Sequence, residues 1–137
     1  MNKDGKKMKV QEATNLIIQQ IEEVVIQRED WHPKVYIGKT QNVEEREKEH
    51  LREGHPLYYL VCLATGSSEK INQLEKSCIV ALRNSQKLQM YNERDGGAGN
   101  PQADNLYVAF TELWPGDDFE ELPMANLFDS NKFPIQL

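Results

Sequence analysis

KVYIGKTQNVEEREKEHLREG (34–54) is the stretch that decides the fold, because one run spells out a strand, a turn and a capped helix. KVYIG (34–38) is rich in strand formers and reads as a strand ending at Gly38. Pro33 breaks the chain just before it. Asn42 is placed to N-cap a helix over 43–53, and Gly54 to close it. On that helix Val43, Arg46, Glu47 and His50 share one face, with Arg46 and His50 four residues apart.

Outward from this unit the chain alternates between strand and helix patterns. LYYLVCLA (57–64) is the strongest strand candidate, and this apolar run is far too short to span a bilayer. SSEKINQLEKSCIVALRNS (67–85) reads as an amphipathic helix with Ile71, Leu74, Cys78, Ile79 and Leu82 in its apolar stripe. Glu75 falls inside that stripe, between Ile71 and Ile79. A carboxylate on a core-facing surface is costly unless it is paired, protonated or bound to a metal. NERDGGAGNPQAD (92–104) has turn composition, and LYVAF (106–110) is a last strand. Upstream, VQEATNLIIQQIEEVVIQR (10–28) has helical spacing, although EVVIQ within it also fits a short strand. The tail from Trp114 onward either wraps the domain or frays. The expected class is α+β: a small mixed or antiparallel sheet of three to four strands, covered by helices. A single domain over 1–137 is expected, with its core at 34–110, an N-terminal helix at 8–28 and a tail at 111–137.

Composition narrows the function classes. With 39% hydrophobic and 28% charged residues, the chain has the balance of a globular protein. MNKDGKKMKV (1–10) leads into no signal-like apolar region, so a cytoplasmic protein is expected. Cys62 and Cys78 lack metal-type spacing and read as buried reduced thiols. The net charge of −6, with much acid in DDFEE (117–121), argues against a broad nucleic-acid-binding surface. Any such contact has to be local.

Tyr36, Ile37, Gly38, Lys39 and Thr40 are followed by Arg46, ten positions after the tyrosine, and by His50 four further on. Together with Glu75 on the next helix, and Asn92 ahead of Gly96 and Gly97, this order resembles the GIY-YIG nuclease superfamily over 35–99. The resemblance implies divalent-metal-dependent hydrolysis of phosphodiester bonds, with DNA as the expected substrate. It implies one Mg2+ or Mn2+ ion on Glu75 and the scissile phosphate. Arg46 would stabilise phosphate charge, Tyr36 or His50 would take a proton from water, and Asn92 would orient the loop or the metal's waters. Lys39 and Thr40 would contact the substrate.

One hallmark is missing. Family members carry an earlier tyrosine strand, and that tyrosine is commonly assigned as general base, but no tyrosine precedes Tyr36. LYVAF could fill that edge, or EVVIQ could pair with KVYIG as a hairpin. The absence also motivates an alternative, a catalytically degenerate domain that binds nucleic acid or protein. With no second unit in the composition, specificity would come from a homodimer, a targeting partner protein or the N-terminal helix.

Each residue also has a plainer reading. Glu75 could pair with Arg46 or Lys39 as a buried bridge. Arg46 and His50 lie on a charge-laced helix of the kind that usually faces solvent. Tyr36 fits an ordinary strand aromatic, and Asn92 ordinary turn chemistry. His32 and His55 read as surface residues, and Trp31 and Trp114 as core or lid aromatics.

Overall fold

The computed structural model describes residues 7–28, 30–54, 56–92, 102–113 and 128–137. Its elements run α1 (Val10–Ile26), β1 (Lys34–Thr40), α2 (Val43–Glu53), β2 (Tyr58–Thr65), α3 (Ser68–Arg83), β3 (Gln89–Met90), β4 (Asn105–Phe110) and β5 (Ile135–Gln136). The class is α+β. Among the described residues the sheet has five strands in the order β3-β1-β4-β2-β5, so two short edge strands extend the three or four expected.

The helix ends follow the capping chemistry. Asn42 accepts a hydrogen bond from the Glu45 N–H, and Gly54 closes α2 in the left-handed conformation at φ 71°. Ser67 caps α3 through the Lys70 N–H. EVVIQ does not form a strand: α1 runs through it to Ile26, because Ala13, Ile17, Ile21 and Val24 hold one continuous buried stripe.

LYVAF takes the place beside KVYIG instead. β4 pairs antiparallel with β1 from Val35↔Phe110 to Thr40↔Asn105, and antiparallel with β2 on its other side. It is thus the central strand, and Leu106 to Phe110 are all buried. The pleat sends Leu106, Val108 and Phe110 with Val35 and Ile37 into the main core beneath α1 and α3. Tyr107 and Tyr36 point to the opposite face, where His50 of α2 meets both rings.

β2 reaches β4 only through register shifts between Tyr58 and Val61 and between Cys62 and Ala64. Tyr59 takes φ 61° in the first of these, a conformation costly for a bulky residue, and its ring is buried against Trp31. The tail returns to the sheet: β5 runs parallel to β2, and Phe128, Phe133, Ile135 and Leu137 join the core. Residues 114–127 and the glycines of 93–101 lie outside the described set. No described helix is long and apolar enough to cross a membrane.

Candidate functional site

Gly38 and Tyr107 are cross-strand partners, and they fit only because Gly38 has no side chain. A Cβ at Gly38 would run into the Tyr107 ring and its hydroxyl oxygen. The ring therefore lies flat across the strand, in the space a side chain would fill. Its hydroxyl is carried to the face of α2, where it meets two side chains one helical turn apart. Arg46 Nε donates to the Tyr107 oxygen at 3.4 Å, and His50 Nε2 lies 3.1 Å from it. His50 is 1% exposed despite its place in a charge-rich helix. Tyr36 completes the cluster, with its ring 6.0 Å from Tyr107 and 6.1 Å from His50.

Electrostatics follow from this enclosure. Burial pushes the Tyr107 phenol above its ordinary range, Tyr36 reinforces the shift, and Arg46 opposes it. Tyr107 is thus a neutral hydrogen-bonding group at neutral pH. Burial weighs against the Arg46 charge, but the Tyr107 oxygen and the Glu49 carboxylate outweigh it and hold the guanidinium ionised. Glu49 accepts from Arg46 Nη1 at 2.8 Å along the same helix.

Glu75 belongs to a second group. It is 5% exposed, and its Oε1 lies 3.5 Å from Lys39 Nζ. Lys39 also donates to Asn72 Oδ1 at 2.6 Å, one turn before Glu75 on α3. Of the two bridges the sequence allowed, Lys39 forms this one, and Arg46 turns to Glu49. A buried pair of this kind roughly offsets its own desolvation, whereas stripping away one partner costs ~3–5 kcal/mol.

Strand alternation puts Lys39 with Ile37 on the α3 face, and Tyr36 with Gly38 on the α2 face. β1 carries residues of both groups, and its edge away from β4 borders each face. On that edge β3 pairs only with Lys34 and Val35, and Asn92 takes over where it stops. Asn92 Oδ1 accepts from the Ile37 N–H at 2.9 Å, and its Nδ2 donates to the Ile37 carbonyl at 2.8 Å. The side-chain amide stands in for one residue of a neighbouring strand. Among the described residues no strand pairs with β1 on that edge beyond Ile37.

Tyr36, Arg46, His50 and Tyr107 are thus brought together on one face of the sheet, and Lys39 of β1 and Glu75 of α3 form a separate pair on the other. Asn92 fastens the edge. Thr40 acts locally, where its hydroxyl accepts from the Asn42 N–H and donates to the Asn42 carbonyl, tying the strand end to the start of α2. Sequence reasoning did not name Tyr107 or Asn72 for the site. The available signal for Tyr107 was a lone tyrosine in a strand that had to pack beside a glycine.

For a cation, the donors are few. Among the described residues no group of three or more His, Cys, Asp or Glu gathers. A small hard cation can bind through one carboxylate, with water and substrate phosphate filling the other positions. Glu75 fits that limited role, provided Lys39 yields its hold on Oε1. His32 is exposed and His55 lies outside the described residues. Trp31 is core: its ring lies 4.9 Å from Phe110, and its Nε1 donates to the Glu112 carbonyl. Trp114 lies outside the described residues. Cys78 is buried and its thiol pushed up to about 12 by desolvation, which makes it unreactive.

No known protein family, no curated protein and no solved structure matches the chain.

Proposed function

We propose that the protein is a metal-dependent endonuclease of GIY-YIG type that hydrolyses phosphodiester bonds in DNA, with its strands in a permuted order. The observation that carries the reading is the position of Tyr107. The resemblance lacks a tyrosine strand ahead of Tyr36; β4 pairs with the YIG strand from the C-terminal side and carries a tyrosine to Gly38, Arg46 and His50.

In this reading a phosphate lies beside β1 with Arg46 directed at its oxygens, where charge grows as the phosphorus is attacked. A water is the nucleophile. Tyr107 accepts the water's proton as it passes its own to His50 Nε2, which requires the tautomer protonated on Nδ1. A relay suits a phenol that burial keeps protonated. The bond from phosphorus to the leaving oxygen then breaks. Glu75 would hold Mg2+ or Mn2+, which supplies charge neutralisation at the phosphate and the leaving oxygen. The two free thiols fit a reducing compartment such as the cytoplasm.

Nicking of supercoiled plasmid in Mg2+ or Mn2+ tests the reading. The wild type is expected to cut, and Glu75→Ala and Tyr107→Phe to lose ~100-fold or more, as removal of a general base or a metal ligand does. Equal cutting by wild type and Glu75→Ala would sink the site. The second reading, an inactive binding module, is favoured by Lys39 holding Glu75 and Glu49 holding Arg46. Folded wild type that neither cuts nor binds millimolar Mn2+ would favour it.

A further inference from the structure

Tyr91 follows β3 at the rim of the candidate site and is 40% exposed, the one aromatic among the large hydrophobic side chains exposed in the described residues. Its backbone is fixed from both sides. The Tyr91 N–H donates to the Val35 carbonyl at 2.8 Å, and the next side chain, Asn92, is bonded twice to Ile37. Its ring stands 6.2 Å from Tyr36 in an edge-on contact, and Tyr36 in turn stands 6.0 Å from Tyr107. A row of rings therefore runs from solvent to the hydroxyl between Arg46 and His50. At the same rim, exposed Arg83 donates to the Asn92 carbonyl at 3.0 Å.

A held, solvent-facing ring beside a phosphate site suits a nucleobase. The charge balance makes stacking the more necessary. The chain carries −6 overall, and α2 alone holds five acidic side chains against three basic ones. Contacts to phosphate are the usual source of nucleic-acid affinity, and an acidic surface favours few of them. Stacking adds grip without positive charge, but only an unpaired base can offer its face to a protein ring.

Resting on the nuclease reading above, we propose that Tyr91 stacks on an unpaired base next to the scissile phosphate. The preferred substrate class is then single-stranded or frayed nucleic acid rather than intact duplex.

Fluorescence anisotropy with a labelled single-stranded oligonucleotide and its blunt duplex, in chelator so that nothing is cut, tests this on the full chain. Wild type is expected to bind the single strand about tenfold more tightly than the duplex, with little loss between low and moderate salt. Tyr91→Phe is expected to keep this affinity within about twofold, and Tyr91→Ala to lose about tenfold on the single strand alone. Equal binding of the single strand by wild type and Tyr91→Ala overturns the inference, as does equal binding of both substrates by wild type. The plasmid assay separates the two levels. Nicking that depends on Glu75, alongside unchanged binding by Tyr91→Ala, removes the stacking role and leaves the nuclease. Folded wild type that binds neither oligonucleotide and cuts nothing removes both.

Discussion

At the scale of single residues, Gly38 and Tyr107 act as one unit. A methyl group at position 38 must displace a ring that is packed on the remaining sides. Gly38→Ala is expected to destabilise the protein by about 1–3 kcal/mol in urea unfolding. In a Tyr107→Ala background the same change is expected to cost much less, and the difference between the two backgrounds measures the contact. The Tyr107 phenol also predicts a pH effect. Its folded pKa is raised above the unfolded value, so its contribution is complete below about pH 10 and is lost as pH climbs toward the folded value. Tyr107→Phe is expected to flatten that alkaline loss in thermal melts between about pH 9 and 11, and an unchanged slope would refute the assignment. Glu75 was legible as a misplaced carboxylate because helical periodicity alone exposes it. Its partner was not legible, since Lys39 and Arg46 are both cations at comparable separations along the chain, and only the fold shows that Lys39 of β1 faces α3 while Arg46 of α2 pairs with Glu49.

At the scale of elements, the capped helices were the most legible part. Asn42, Gly54 and Ser67 set ends that local chemistry determines. EVVIQ was ambiguous because a short β-branched run satisfies either period, and contact with α3 decides for helix. The two-residue strands β3 and β5 carry too little pattern to be read; pairing with distant strands creates them. Asn92 shows how such an edge is finished. Its amide both accepts from and donates to Ile37, which a carboxylate cannot do. Asn92→Asp is therefore expected to lose the donated bond and to set a carboxylate against the Ile37 carbonyl. The expected cost is about 1–3 kcal/mol in urea unfolding, together with faster amide exchange at Ile37. Stability equal to wild type would show that the clamp contributes nothing.

At the scale of the whole molecule, the sheet joins segments that are far apart in sequence: Lys34 and Thr111, hydrogen-bonded at the end of the β1–β4 ladder, are 77 residues apart. No local pattern encodes such a pairing, so the sequence left the partner of KVYIG open between EVVIQ and LYVAF. The central strand is also made after both of its neighbours. As the chain leaves the ribosome, β1 and β2 emerge with the edges that β4 will later occupy still unpaired, a state prone to wrong pairing until β4 is inserted. Arg46 and His50 are translated early, yet the hydroxyl that joins them arrives with residue 107. A half-made chain therefore holds Arg46 and His50 without the hydroxyl that connects them, and the cluster closes only when the fold is nearly complete.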